Sequence, residues 1–252
     1  MARVCLTLLA GLLVAGSARA EDADRSAIDE VLEQLKAKDV NERMAGIRAA
    51  GALQHPKLVA PLTKLLTDPN QGIRDLAVEA LALRKTKVEK KKAALALMRR
   101  VNALKKKEQQ PELLRVIDAL HDLAQKATMK PLLSGLKTSM DQKVLEKRVM
   151  AAANVPDKQV IDELIQLAAS GRRNNSIRGS ALRALRYATG EKVRGGADEW
   201  RRWWKDNKKD FQPIVVADKR AQRRAESAAK EEKRQERRRN KRRKKEEKGD
   251  DN

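Results

Sequence analysis

The sequence predicts an all-α protein, an α-solenoid of about five stacked helical hairpins. Three observations predict this class. Ala, Leu, Lys, Arg and Glu dominate the composition, apolar residues recur with helical spacing between short polar breaks, and segments of the chain resemble one another at a near-constant interval. Only 2% of the 252 residues are aromatic, and Gly (12) and Pro (7) are scarce. This composition argues against a β-sandwich, a collagen-like chain or a wholly disordered chain.

The first twenty residues have the pattern of a secretory signal. Arg3 precedes an apolar run at residues 4–15, and Ala18-Arg19-Ala20 is a small-residue cleavage motif. An uncleaved membrane anchor is the alternative, but the run falls short of the ~20 residues that a spanning helix needs. We therefore expect cleavage near Ala20 and an exported mature chain, periplasmic or secreted. That chain would hold no Cys and no transmembrane segment.

Two series of equivalent positions define the hairpins of the array, which we place at residues 21–190. The series in the first helix of each hairpin has offsets of 31, 39, 31 and 32, at Glu30, Pro61, Arg100, Pro131 and Glu163. The series in the second helix has offsets of 31, 39, 33 and 32, at Ala49, Ala80, Ala119, Ala152 and Ala184. Both series have their long offset between the second and third hairpins. The extra residues therefore lie after Leu83, in the stretch 84–92.

Each hairpin combines an apolar first helix with a second helix that contains small residues. The first helix of the second hairpin has Leu58, Leu62 and Leu65 at helical spacing, and the polar turn 68–72 separates it from the next helix. Small side chains allow helices to approach closely. We expect such contacts at Ala45 and Ala49, at Ala77 and Ala80, and at Ala181 and Ala184. Stacking then shields the apolar face of each hairpin with the next one.

A recurring Asp and Arg pattern resembles the HEAT repeat. Asp68 is followed six places on by Arg74 in the segment 73–81, Arg178 opens a similar segment, and Arg43 a looser one. The resemblance implies a ladder of Asp and Arg side chains between neighbouring repeats, with the second helices on a concave face. Only the Asp68 and Arg74 pair has the full spacing, and repeats three and four lack this Arg. We therefore expect an incomplete ladder.

Residues 191–217 are predicted to cap the end of the array. All five aromatic residues lie between Tyr187 and Phe211. Trp200, Trp203 and Trp204 share one helix face, and the fourth cap residue, Phe211, lies on or near that stripe. This ending resembles the segment that closes many secreted bacterial HEAT-repeat proteins. The alternative is an exposed platform on which sugars or bases stack, with Arg201 and Arg202 nearby.

The C-terminal residues 218–252 form a basic tail that cannot build a core. The tail contains 16 Lys and Arg against 9 Asp and Glu, and no Leu, Ile, Phe, Met or Trp. We expect it to be disordered or loosely helical in free solution. It is either a solubilising tail or an electrostatic contact for a polyanion such as nucleic acid, anionic lipid or acidic polysaccharide. The candidate contacts are Arg237, Arg238, Arg239, Lys241, Arg242, Arg243, Lys244 and Lys245.

No motif in the sequence predicts catalysis, a cofactor or a metal site. His55 and His121 are far apart in the chain, and no P-loop, dinucleotide-binding motif or EF-hand pattern occurs. We therefore predict a non-catalytic scaffold for an unidentified protein partner, with polyanion binding as the alternative and an enzyme as a weaker third. The net charge of +22 comes from basic residues in both the array and the tail. Candidate partner contacts on the second helices are Arg48, Glu79, Arg183 and Arg186.

Overall fold

The computed structural model describes residues 25–137, 140–170 and 175–213, and within these ranges it contains helices and no strand. The first helix, α1, covers residues 25–34. The others are α2 (Val40–Ala52), α3 (Val59–Leu65), α4 (Gln71–Ala82), α5 (Lys87–Ala103), α6 (Gln110–Leu123), α7 (Lys126–Leu133), α8 (Gln142–Ala153), α9 (Lys158–Ser170), α10 (Asn175–Thr189) and α11 (Ala197–Asn207). The signal segment 1–20 and the basic tail 218–252 lie outside the described residues.

The helices form consecutive hairpins that stack in two layers. The second helices α2, α4, α6, α8 and α10 contact one another in chain order, and the first helices α3, α5, α7 and α9 do the same. One continuous hydrophobic core runs through the stack, from Ile28 in α1 to Trp204 in α11. The prediction of an all-α solenoid is confirmed. No helix of the described ranges is long and apolar enough to cross a membrane.

Side chains that cap helix N-termini fix where the hairpins turn. Asp39, Asn70 and Thr86 accept hydrogen bonds from the backbone N–H groups of Glu42, Ile73 and Glu89, at 2.9, 3.3 and 3.3 Å. Asp141 likewise accepts from the first turn of α8. These residues satisfy N–H groups that have no partner within the helix. The start of each of these helices is therefore encoded locally.

The inserted residues of the third hairpin lengthen its first helix. Residues 84–86 form the loop after α4, and α5 then has 17 residues, against 7 in α3 and 8 in α7. The nine or ten additional residues correspond to about two and a half helical turns. They extend the N-terminal part of the helix.

The expected small-residue contact at Ala45 is wrong. Ala45 is exposed, whereas Gly46 and Ala50 are buried. A Cβ atom on Gly46 would lie 2.7 Å from Cβ of Gln34 in α1, so only glycine allows this approach. The buried face of α2 is thus rotated by one residue, about 100°, from the predicted one. The later pairs, at Ala77 and Ala80 and at Ala181 and Ala184, are buried as expected.

Candidate interaction surfaces

The first step of the predicted ladder joins repeats one and two. Nε of Arg43 lies 3.6 Å from Oδ2 of Asp68, and the two side chains are largely buried. Nη1 of Arg43 also donates to the backbone carbonyls of Ala37 and Lys38, both at 2.7 Å. Arg43 therefore fixes the turn of its own hairpin and contacts the turn of the next.

Arg74 continues the ladder, but its partner in the next repeat is a glutamate and not the Asp of the repeat motif. Its Nη1 donates to the backbone carbonyls of Asp68 and Pro69, at 2.9 and 3.0 Å. Its Nε donates instead to Oε2 of Glu112 in α6, at 3.0 Å. The spacing of Asp68 and Arg74 thus fixes a turn within repeat two, and the bond between repeats is made by Glu112.

Glu112 is the centre of a buried ion cluster, the Glu112 triad, which comprises Arg74, Arg100 and Glu112. Oε1 of Glu112 accepts from Nε of Arg100 at 2.7 Å, and the Glu112 side chain is 6% exposed. One carboxylate therefore neutralises two guanidinium groups from adjacent repeats. Glu112 was not predicted from the sequence, because its separation of 38 positions from Arg74 is one short of the 39-residue offset between these repeats.

Repeat four has a turn-fixing Arg at a position that the repeat motif did not predict. Arg148 in α8 donates to the carbonyls of Pro131, Leu132 and Ser134, at 2.9–3.1 Å. Arg148 therefore fixes the turn of repeat four, as Arg43 and Arg74 fix the turns of repeats one and two. Its place in the repeat is two residues farther along the second helix. Burial lowers the pKa of the Arg148 guanidinium. Arg178 is exposed, and it donates to Oδ1 of Asn175 within its own helix.

Arg84 is a second buried cation that the sequence analysis did not single out. Its guanidinium, 1% exposed, donates to the carbonyls of Ala50, Gly51 and Leu53 at the end of α2. Carbonyls at a helix C-terminus have no partner within the helix and carry partial negative charge, so a cation there joins repeat two to repeat one. Burial lowers the pKa of Arg84, and the Glu89 carboxylate opposes this shift.

A buried amide ties together the ends of three second helices. Asn154 donates to the carbonyl of His121 and accepts from the hydroxyl of Tyr187, both at 2.6 Å. Each separation is 33 positions, which matches the repeat offset. This regular spacing is the signal by which the sequence could have revealed the contact.

Exposed ion pairs run across the second helices from one repeat to the next. Asp75 in α4 pairs with Arg115 in α6, and Asp118 in α6 pairs with Lys147 in α8. Glu146 in α8 then pairs with Arg183 in α10, at 2.6 Å. We call the exposed face of α2, α4, α6, α8 and α10 the second-helix surface. Its charges alternate in sign along the stack.

The predicted partner contacts all lie on this surface. Arg48, Glu79, Arg183 and Arg186 are exposed. Arg183 is engaged with Glu146, and it also contacts the hydroxyl of Ser180 at 3.2 Å. The other three lie in α2, α4 and α10. The second-helix surface can therefore bind charged groups at separated points along the stack.

The aromatic residues of α11 pack against the last hairpin. Trp200 is fully buried and Trp204 is 4% exposed, whereas Trp203 and Phe211 are partly buried. Indole Nε1 of Trp204 donates to Oδ1 of Asp162 in α9, at 2.8 Å, and Lys208 pairs with the same carboxylate. Lys158 donates to the carbonyls of Lys208 and Lys209. Helix α11 therefore covers α9.

The aromatic rings stack on one another. The rings of Trp203 and Trp204 are nearly parallel with centroids 6.0 Å apart, and Phe211 packs edge-on against both. The nearby guanidinium groups are also engaged, with Arg201 paired to Asp198 and Arg202 to Glu199. This arrangement favours the cap over the stacking platform, because the ring faces are occupied within the protein.

The start of α11 is stabilised by its own acidic residue. The Glu199 carboxylate accepts from the N–H of Gly196, at 2.7 Å. Hydrogen bonds from the backbone N–H groups of Glu199 itself and of Gly196 hold the pKa of this carboxyl below its usual value. Gly195 has a φ of +107°, and a Cβ there would lie 2.6 Å from Cγ of Glu199. The turn before the cap therefore requires glycine.

The two histidines lie at helix ends, where they contact neighbouring residues of the fold. His55 precedes α3, and its Nδ1 accepts from the N–H of Lys57 at 3.3 Å. His121 lies in the last turn of α6, with its ring 6.4 Å from that of Tyr187. Among the described residues, no group of three or more His, Cys, Asp or Glu is arranged to hold a metal ion.

Comparison with known proteins identifies the repeat type. Residues 28–103 match a family model described as HEAT repeats. This region covers the first two hairpins and α5, and it includes Arg43, Asp68 and Arg74. The search of curated proteins found no match to the chain. HEAT-repeat solenoids are typically non-catalytic scaffolds for protein interaction, and the match indicates no catalytic family.

Proposed function

We propose that this chain, whose residues 28–103 match HEAT repeats, is a non-catalytic scaffold that binds a protein partner on its second-helix surface. We further propose that it acts outside the cytoplasm, after its signal segment is removed near Ala20. Repeat solenoids offer extended surfaces of this kind, on which contacts spread over several repeats add together.

The observation that carries the proposal is the row of exposed charged residues across α2, α4, α6, α8 and α10. Its three ion pairs connect neighbouring helices at the surface, while Arg48, Glu79 and Arg186 are exposed and make no ion pair among the described residues. Beneath it, the Glu112 triad and Arg84 connect the repeats in the interior. A surface on such connected repeats is pre-organised, which lowers the entropic cost of binding.

Reversing two of the exposed charges should abolish capture of the partner. We expect R48E/R186E in the chain 21–252 to lose the crosslinked partner recovered from cell-envelope extract, because opposed charges at an interface repel. The measurement is crosslinking and mass spectrometry on matched preparations. K57E/K64E is the control, since it reverses two exposed charges in the first-helix layer. Equal loss in both variants, or no partner with the unaltered chain, would contradict the scaffold proposal.

The second candidate function is binding of a polyanion, and the distribution of unpaired cations favours it. Lys91, Lys92, Arg99 and the cluster 105–107 are exposed and have no acidic partner among the described residues. The tail adds 16 basic residues at 218–252. Clustered, unpaired cations attract polyanions over long distances and release counterions when they bind.

Deleting residues 218–252 should make nucleic-acid binding less dependent on salt. Each Lys or Arg that neutralises a phosphate adds roughly 0.7–0.9 to the slope of log K against log salt. We therefore expect the slope for a labelled oligonucleotide to fall by at least several units, measured by fluorescence anisotropy from low to moderate salt. An unchanged slope would show that the tail makes no polyanion contact. The array cations would then have to carry any binding that is left.

A further inference from the structure

The exposed side of α5 combines basic and apolar side chains. We call it the α5 face and define it by Val88, Lys91, Lys92, Leu95 and Arg99. These positions are spaced by three or four residues and fall within about 100° of one another around the helix. Opposite them lie the buried residues Ala93, Ala94, Leu97 and Val101. The α5 face therefore points away from the core.

The cations of the α5 face are free for an outside partner. None of Lys91, Lys92 and Arg99 makes an ion pair within the described part of the chain. On the neighbouring first helix α7, by contrast, Lys126 pairs with Asp157 and Lys130 pairs with Glu163. The only acidic residue in α5, Glu89, is buried and accepts from the hydroxyl of Thr86. The α5 face thus has positive charge without compensation.

Exposed apolar side chains are concentrated at the same place. The large hydrophobic residues that are exposed in the described chain are Leu83, Val88 and Leu95, at 57, 61 and 37%. All three lie within thirteen positions of one another, and two of them belong to the α5 face. Val88, Lys91 and Lys92 also fall in the stretch 84–92 that the repeat offsets identify as inserted. The insertion therefore created much of this surface.

We propose that the α5 face docks on an anionic lipid surface, with the lysines and Arg99 at the headgroups and Val88 and Leu95 inserted between them. Helices that lie in a membrane interface combine basic residues with protruding apolar ones in this way. Lysine and arginine near such a surface each strengthen attraction to anionic lipid. The proposal deepens the polyanion candidate by naming the polyanion and the residues that contact it.

Two features favour lipid over nucleic acid. A phosphate backbone has no apolar groups that would pack against the exposed Val88 and Leu95. Insertion at the boundary between lipid headgroups and acyl chains shields these side chains from water. Proteins that hold single-stranded nucleic acid use exposed aromatic rings, and here Trp200 and Trp204 are buried in the cap.

Helix α5 is about 25 Å long, which allows its charged positions to reach several headgroups together.

Vesicle binding by the chain 21–252 tests the proposal. The probes are vesicles of phosphatidylcholine with about 30% phosphatidylglycerol, vesicles of phosphatidylcholine alone, and a labelled oligonucleotide. We expect binding to the anionic vesicles and not to vesicles of phosphatidylcholine alone, with an affinity that falls about 10- to 30-fold in K91Q/K92Q because two headgroup contacts are lost. We expect V88S/L95S to weaken vesicle binding about 10-fold and to leave oligonucleotide binding unchanged.

The matched control is R48Q/R186Q, which removes two exposed positive charges from the second-helix surface. Vesicle binding should change by less than about 3-fold in this variant, and thermal melts by circular dichroism should show that all three variants are folded. An equal loss in K91Q/K92Q and R48Q/R186Q would overturn the proposal, because net charge would then explain the binding. Unchanged vesicle binding in V88S/L95S would overturn it as well. Oligonucleotide binding without vesicle binding would refute the lipid inference and leave the polyanion candidate standing; binding to neither would refute both.

Discussion

Replacing Glu112 with alanine is expected to lower the free energy of unfolding by about 3–5 kcal/mol. The substitution leaves the guanidinium groups of Arg74 and Arg100 close together, largely buried and without the carboxylate between them. It also removes an acidic residue from the first turn of α6, where negative charge is favourable. The measurement is urea denaturation followed by far-UV circular dichroism.

Glu146→Ala is the control for this prediction. Glu146 is also a glutamate of a second helix with an arginine partner, but its side chain is 43% exposed. Exposed pairs contribute about 0–1 kcal/mol, so its loss should be small. E112Q should fall between the two, because its amide oxygen still accepts from one Arg. A loss in E112A no larger than in E146A would show that the Glu112 triad does not connect repeats two and three.

The sequence predicted the parts of the fold that depend on local patterns. Two offset series located the hairpins and the insertion, because each repeat buries the same positions. The polar turn 68–72 was predicted for the same reason, since its Asn70 caps the helix that follows it. The helical spacing of Trp200, Trp203 and Trp204 likewise indicated a common stripe.

Contacts between repeats were predicted less well, since they depend on how much one helix is rotated against another. Arg74 pairs with Glu112 of the next repeat, where the motif suggested an Asp. In α2, a rotation of one residue puts Gly46 in the contact that was assigned to Ala45. The α5 face is a further case. Its residues are visible in the sequence, but only the packing shows which of its lysines have no acidic partner.

Replacing Trp200 with alanine is the second change with a large expected effect, a loss of about 3–5 kcal/mol. The indole is fully buried within the core that α11 shares with the last hairpin, so its removal leaves a cavity. Indole Nε1 of Trp200 has no hydrogen-bond partner among the described residues, so the expected loss comes from packing. Urea denaturation measures the effect, and W203A, at a partly exposed ring, should lose much less.

Conservative variants separate packing from hydrogen bonding in the cap. W200F keeps a large ring and removes a buried N–H group that costs about 1–3 kcal/mol when unpaired, so we expect its stability to be close to that of the unaltered chain. W204F removes the bond to Asp162 and should lose about 1 kcal/mol. The order W200A, W204F, W200F from least to most stable follows only if α11 covers the apolar end of the stack. If W200A and W203A unfolded at the same urea concentration, Trp200 would not be a core residue, and the end of the array would have to be closed by some other segment.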